Sequence, residues 1–308
     1  MKRRDFILKS IGSSVAAGAS FIFGKSALAF GNNTFGQDNG NYDLVAVKGD
    51  DPVKMFDEAI KALGGMEKFV KPGQSVVVKP NIGWDATPER AANTNPELVG
   101  RIVKSCYEAG ASDVYVFDYT CNEWTKCYEN SGIKSAVEDA GGKMVPGNTE
   151  SFYKEIAIPK GKKLSSVKVH ELILNSDVFI NVPVLKHHSS GKLTIAMKNL
   201  MGIIWDRRYW HKNDLHQCIA DFVTWCKPDL NIIDAYAVMK RNGPRGVSVD
   251  DVVKLNTLII STDIVAADAA ASKVFGYEPE DVPYIGIAND MGLGNQNLNE
   301  LNIKRIKI

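Results

Sequence analysis

Short apolar runs alternate with longer amphipathic stretches along most of the chain. Residues 75–79 read Ser-Val-Val-Val-Lys, which is typical of a buried strand. Residues 96–109 repeat apolar positions with the helical period, between an N-capping Asn95 and a terminating Gly110. The same alternation continues to residues 302–308, which predict an edge strand. Strands separated by helices of this length predict an α/β fold with a mostly parallel sheet flanked by helices.

The first 29 residues have the pattern of a twin-arginine signal peptide. Arg3 and Arg4 precede Phe6 and an aliphatic pair, and a stretch rich in Gly, Ala and Ser follows. Ala27-Leu28-Ala29 then supplies the small-x-small pattern of a cleavage site. The apolar stretch is too short to cross a hydrocarbon layer of about 30 Å. The pattern predicts that the translocation machinery exports the protein to the periplasm or beyond, with an uncleaved anchor as the alternative.

After the signal, residues 30–41 are rich in Gly, Asn, Gln and Asp and predict a flexible tether. Residues 42–308 then form the predicted α/β domain. Its middle, from about residue 146 to 169, is less regular and rich in lysine. We therefore expect two lobes, 42–150 and 165–308, with the functional site in the cleft between them.

Composition excludes some classes of protein. A net charge of +1, with no basic run among aromatic residues, argues against nucleic acid as a partner. No second apolar run is long enough to span a bilayer, so no permanent membrane span is expected after cleavage. The five cysteines form no Cys-x-x-Cys pair, which argues against an iron–sulfur cluster. Cys121 and Cys127 either pair across a short loop or, like the others, fill apolar space.

Polar residues cluster just past the predicted strand ends, where ligands bind in α/β sheets. The candidate residues are Lys79, Asn81, Asp118, Lys186, His188, Lys198, Asn199, Asp234, Asp263 and Asp268. Lysine with asparagine suits a carboxylate or phosphate, so we expect Lys79, Asn81, Lys198 and Asn199 to bind substrate. Each residue alone also has a structural explanation, such as a solvated charge or, at Asp263, a helix cap.

The remaining candidates suit catalysis or metal binding. Lys186, His188 and Asp234 are candidate acid–base groups, and His188, Asp263 and Asp268 are candidate ligands of a divalent metal. His187 and His188 are adjacent, so only one of them is expected to enter a site. Residues 204–216, which carry His211 and His216, are expected to close over the pocket as a lid.

Four motifs in this order resemble the family known as domain of unknown function 362. They are Lys-Pro-Asn at 79–81, the Ser-Asp…Lys-x-His run at 176–188, Leu-Thr…Lys-Asn…Gly at 193–202, and Asp-x-Val-Ala-x-Asp at 263–268. His188 stands at the family's histidine position. Some members of that family carry a ferredoxin-like iron–sulfur module, which this sequence lacks.

The resemblance also implies a distant similarity to nickel-dependent lactate racemases, which act on 2-hydroxy acids. Together with the lysines, it favours an exported enzyme that acts on a small anionic substrate through metal-assisted isomerase or lyase chemistry. Two alternatives remain open. One is a periplasmic metal- or cofactor-binding maturation protein, and the other is a redox accessory protein of an electron-transfer system.

Overall fold

The computed structural model describes residues 41–308. The predicted signal peptide and all but the last residue of the predicted tether therefore lie outside the described residues. At the start of the described chain, the Asn41 carbonyl accepts a hydrogen bond from Asn302 Nδ2 at 2.7 Å. Within this range no helix is both long and apolar enough to span a bilayer.

Residues 41–308 fold into strands and helices that largely alternate, with short 3₁₀ turns between some of them. The strands are β1 (Leu44–Lys48), β2 (Ser75–Pro80), β3 (Asp113–Val116), β4 (Lys143–Met144), β5 (Tyr153–Ala157), β6 (Ser166–His170), β7 (Val178–Val182), β8 (Val184–His188), β9 (Lys192–Thr194), β10 (Leu230–Met239), β11 (Val252–Ser261) and β12 (Ile303–Lys307). The helices are α1 (Pro52–Ala62), α2 (Pro96–Glu108), α3 (Trp124–Asn130), α4 (Ile133–Asp139), α5 (Glu171–Asn175), α6 (Ala196–Asn199), α7 (Arg207–Lys212), α8 (Leu215–Val223), α9 (Ile264–Phe275) and α10 (Pro283–Asp290).

The main sheet has the strand order β12-β1-β11-β10-β7-β2-β3-β4. Every neighbouring pair on this path is parallel except the two that involve β11. Strand β8 runs parallel to the second half of β10, and the short β9 pairs antiparallel with β8. The sheet is thus mostly parallel with helices on its faces, which confirms the predicted α/β class, and β12 lies at the predicted edge.

Two hydrophobic clusters cover the two faces of the sheet. Leu44 and Ala46 of β1 belong to one cluster, and Val45 and Val47 belong to the other, as the alternation of side chains along a strand requires. Helices α1 to α4 contribute to the second cluster, while α6, α8, α9 and α10 contribute to the first. Buried apolar side chains on both faces hold the parallel strand ends in fixed positions.

The segments 42–150 and 165–308 share this one sheet, because β2 pairs with β7 and β1 pairs with β11. Between the segments, β5 and β6 form a separate two-stranded sheet. The division of the domain into two lobes stays a prediction. What the fold does establish is that β2, β3 and β7 end at the same edge of the sheet, with β8 continuing directly from β7.

Candidate functional site

A pocket of about 170 Å³ lies where β2, β3 and β8 end. Asn81 follows β2, and Asp118 lies just beyond β3. Lys186 and His188 are among the last three residues of β8. Lys198 and Asn199, from α6, complete the part of the wall that the sequence predicts. The structure therefore brings these predicted residues together at the carboxyl edge of the sheet, as expected for an α/β fold.

Lys79 forms a buried ion pair under the pocket. Its Nζ lies 2.9 Å from Asp118 Oδ1, and the two side chains are 0% and 2% exposed. The same ammonium donates to Asn199 Oδ1 at 2.7 Å and to the Pro80 carbonyl at 2.9 Å. Burial lowers the pKa of Lys79, and Asp118 counteracts that shift. Lys79 thus holds the side chains of Asp118 and Asn199 in place.

Gly202 packs directly on this ion pair. A Cβ atom at this position would overlap Asp118 Oδ1 and come within 2.6 Å of Lys79 Nζ. Only glycine allows the backbone to approach the pair so closely. Its carbonyl also accepts a hydrogen bond from Tyr119 N at 2.9 Å, which ties the turn after α6 to the segment after β3.

We expect Gly202→Ala to lower the free energy of unfolding by about 1–3 kcal/mol, because the added methyl group must separate a buried ion pair. Gly286→Ala is the matched control. Gly286 lies within α10 with no atom near its added Cβ, so there the substitution should be neutral or stabilise by up to about 1 kcal/mol. Urea unfolding of both variants measures the difference. Equal stabilities would contradict the packing described here.

Lys186 is buried but has no carboxylate among its contacts. Its Nζ donates to Asn81 Oδ1 at 2.7 Å and to the Ala92 carbonyl. Desolvation lowers the pKa of Lys186 to about 7, and the nearby Lys198 adds to that effect. Asn81 in turn donates to Asn199 Oδ1 at 3.0 Å. A continuous chain of hydrogen bonds therefore links Lys186 to Lys79.

Lys198 is held by a one-turn helix whose N-terminus is capped from another part of the chain. Asp268 Oδ1 accepts from Ala196 N at 2.6 Å, and its Oδ2 accepts from Met197 N at 3.1 Å. The Nζ of Lys198 lies 3.7 Å from Met201 Sδ. Burial lowers the pKa of Lys198 to about 8. Asp268 therefore positions α6 and the two residues it contributes to the pocket.

His188 lines the pocket, whereas His187 does not. The Nδ1 atom of His188 accepts from Ser190 N and Gly191 N, both at 3.2 Å, which places the proton of the neutral ring on Nε2. Burial, with smaller effects from Lys198 and Lys186, holds the pKa of His188 well below its usual value. The ring is therefore neutral and acts as an N–H donor. His187 instead accepts from Gly243 N at 3.1 Å.

The segment predicted as a lid contributes to the pocket through α7. Arg207, Arg208 and His211 line it, and the ring of His211 stacks on His188 with centroids 6.4 Å apart. Arg207 is fixed by the Tyr119 and Thr120 carbonyls and lies over the Tyr119 ring. His216 is not part of the pocket, because it stacks on Tyr284.

Asp234 does not line the pocket, in contrast to its predicted acid–base role. The predicted strand ended at Asp234, but β10 continues to Met239, so the carboxylate lies in mid-strand. Its Oδ2 accepts from Asn95 N at 2.8 Å, and its Oδ1 accepts from Tyr236 N at 3.1 Å. Burial raises the pKa of Asp234 to about 6. The residue fixes the start of α2.

The predicted metal ligands do not fit a metal site. Asp263 caps α9 by accepting from Val265 N and Ala266 N, and it also accepts from Asn295 N. Asp268 is occupied by α6, so only His188 remains at the pocket. Among residues 41–308, no group of three or more His, Cys, Asp or Glu side chains is arranged to hold a metal ion.

The sequence alone did not assign three residues that shape the pocket. Arg207 and Arg208 add positive charge from α7, and Cys121 adds a thiol from the segment after β3. Cys121 and Cys127 do not form the disulfide considered above, since both are free and Cys127 is buried. Both arginines lie in the segment 204–216 that the sequence predicts as a lid, but no strand-end signal singles them out as lining residues.

The family described as Domain of unknown function (DUF362) matches residues 76–273. The chain belongs to this family. It is also 26% identical over 250 residues to Thylakoid-associated protein sll1697 of Synechocystis sp., a match that covers 76% of this chain and 73% of the relative. The matched region contains every residue that lines the pocket and the Asp268 that positions α6.

Two solved structures are similar at 11% sequence identity. One is the lactate racemase apoprotein from Thermoanaerobacterium thermosaccharolyticum, with a TM-score of 0.47 over 75% of this chain and 57% of that one. The other is a Thermotoga maritima protein, with a TM-score of 0.44 over 79% of this chain and 60% of that one. This chain spans less than two thirds of the length of either structure.

Proposed function

We propose that the pocket binds a small carboxylate or phosphate and that the protein, once exported, is an enzyme that acts on this anion. One observation carries the proposal. The wall contains Lys186, Lys198, Arg207 and Arg208, while its carboxylate, Asp118, is already paired with Lys79 beneath the wall. Export is supported by the twin-arginine pattern at the N-terminus.

In the part of the chain that the structure describes, no carboxylate forms an ion pair with Lys186, Lys198 or Arg207. Lys186 contacts two carbonyl oxygens, Lys198 contacts a thioether, and Arg207 contacts two backbone carbonyls. A buried cation without a counter-charge is costly, which is why the pKa values of both lysines are lowered. An anionic ligand in the pocket would supply the missing negative charge and so reduce the free-energy cost of burying these cations.

The same geometry supports proton transfer next to the bound anion. With a pKa of about 7, Lys186 exists in part as a neutral amine near neutral pH. Asn81 Oδ1 and the Ala92 carbonyl take two of the three hydrogen-bonding positions on its Nζ atom. The third is left for a ligand in the pocket. In the fraction of the complex in which Lys186 stays neutral, its amine accepts a proton while Lys198 and neutral His188 hold the substrate. Isomerisation or elimination beside a carboxylate follows this scheme.

Calorimetric titration of the exported domain tests the binding step. Acetate, lactate and phosphate should bind, whereas acetamide and lactamide, which have similar shape and no charge, should not. The chemical step is tested by incubating hydroxy acids with the protein in D₂O. Proton NMR then follows the hydrogen on the carbon next to the carboxylate, whose signal should be lost as deuterium replaces it. Equal binding of the acids and the amides would contradict the proposal.

Anion affinity should depend on pH through the two lysines. Both are charged below about pH 7, and the charges are lost as the pH rises through the pKa values of Lys186 and Lys198, about 7 and about 8. We expect affinity to fall at least tenfold between pH 7 and pH 9, since an acid with a pKa near 4 stays ionised throughout. Binding at pH 8 should also take up protons, which calorimetry in buffers of different ionisation enthalpy measures. A flat affinity profile would contradict the role of the lysines.

A further inference from the structure

A second pocket, of about 430 Å³, lies next to the first. Trp84 and Pro244 line the inner pocket, and the residues that follow them, Asp85 and Arg245, line the outer one. Two separate segments of backbone therefore pass directly from one pocket to the other.

The outer pocket presents two guanidinium groups, from Arg90 and Arg245. The Nε atom of Arg90 is buried and has no hydrogen-bond partner among residues 41–308. Gly246 has a φ of +74° and lies against Arg90, whose Nη2 would be 3.6 Å from a Cβ at that position. Arg245 is exposed.

The one carboxylate that lines this pocket, that of Asp85, offsets only one of the two guanidinium charges. Asp85 Oδ1 accepts a hydrogen bond from Asn130 Nδ2 at 2.6 Å, which turns it towards α3. Val247, which is 75% exposed, adds an apolar side chain to the lining. Paired guanidinium groups bind carboxylate and phosphate oxygens through parallel hydrogen bonds, and an apolar side chain beside them suits the carbon chain of a ligand.

We propose that the outer pocket is a second anion subsite and that the natural ligand carries two anionic groups joined by a short carbon chain. One group is held by Lys186 and Lys198, and the other by Arg90 and Arg245. This inference rests on the proposed function of the inner pocket and narrows its substrate class to organic acids with a distal carboxylate or phosphate. Free energy from the distal contact would add to that from the inner pocket, as in any ligand with two linked binding groups.

The test compares ligands of graded length. Dicarboxylates from malonate to adipate, and acids of matched length with a terminal phosphate, are titrated into the protein at pH 6.5 beside the corresponding monocarboxylates. We expect one chain length to bind at least tenfold more tightly than its monocarboxylate. The comparison between carboxylate and phosphate ends identifies which distal anion Arg90 and Arg245 prefer.

Arg245→Ala should remove this advantage and leave monocarboxylate affinity within twofold of the unchanged protein. Because Arg245 is exposed, the substitution does not endanger the fold. Lys104→Ala is the control, since it removes an exposed positive charge from α2, outside both pockets. Arg245→Lys retains the charge without the planar fork and should restore only part of the advantage.

Two results would overturn the subsite. One is equal affinity of dianions and monoanions at every length. The other is an Arg245→Ala variant that loses affinity for dianions and monoanions alike. Arg245 would then act only through the long-range electrostatic field of the protein. If monoanions bind but dianions gain nothing, the inner pocket stands and the outer subsite falls. If no anion binds, the proposed function fails and the subsite fails with it.

Discussion

Replacement of Asp118 with asparagine is expected to lower the free energy of unfolding by about 3–5 kcal/mol, the cost of leaving a buried charge without its partner. Asp118 is 2% exposed and provides the carboxylate for Lys79, which is fully buried. Asparagine keeps the size of the side chain and an oxygen for Ile82 N, which donates to Asp118 Oδ2 at 2.7 Å. The loss is therefore electrostatic, and chemical denaturation measures it.

The double variant Lys79→Met, Asp118→Asn separates charge from packing. With no ammonium left to neutralise, the second substitution should recover much of the stability lost in Asp118→Asn, because apolar replacement of a buried ion pair is often close to neutral. With Lys79→Met alone measured as well, the double-mutant cycle gives the coupling free energy of the pair. If Asp118→Asn alone stays within 1 kcal/mol of the unchanged protein, the pair does not support the floor of the pocket.

Lys186→Met is expected to weaken binding of a small carboxylate about 30-fold at pH 6, which corresponds to roughly 2 kcal/mol, the value typical of a hydrogen bond to a charged group. At this pH the ammonium is charged, because the pKa of Lys186 is about 7. Two effects on stability oppose each other: burial of the ammonium is itself unfavourable, but its removal leaves Asn81 Oδ1 and the Ala92 carbonyl without this donor. Calorimetry gives the affinity, and thermal unfolding checks the fold.

Lys186→Arg distinguishes anion binding from proton transfer. Arginine keeps a positive charge at every accessible pH, so binding should remain measurable and lose its dependence on this residue's titration. It cannot serve as a base, so deuterium exchange next to the carboxylate should stop. Exchange that continues in this variant would assign the proton transfer to another group.

The α/β fold follows from local patterns that the sequence states clearly. Strand β2 is a short apolar run that ends in Lys79-Pro80, and α2 begins at a capped proline, so both were located to within a residue. Because parallel strands end at one edge, this knowledge also placed Lys79, Asn81 and Asp118 near each other. The same reasoning placed Lys186 and Lys198 there, and the resemblance of the motifs selected His188 rather than His187.

The remaining features depend on contacts between distant parts of the chain. Residues 193–201 have a helical pattern, yet Leu193 lies in β9, where it pairs with His187 of β8, and the helix begins only at Ala196. Strand β8 begins immediately after Pro183, so no loop signals it. Asp234 was assigned to a strand end because five further residues of β10 have no distinctive pattern. Asp268 lies on its predicted helix, but its partners on α6 are 71 and 72 residues away.

The most direct test is a crystal structure of the protein saturated with the small carboxylate that binds most tightly in calorimetry. We predict that the ligand lies in the inner pocket, with its carboxylate about 2.7–3.1 Å from the Nζ atom of Lys186 or Lys198. The guanidinium of Arg207 should lie on the opposite side of the bound carboxylate. A saturated protein with its ligand bound elsewhere and these lysines uncontacted would contradict the proposal that the pocket is an anion site.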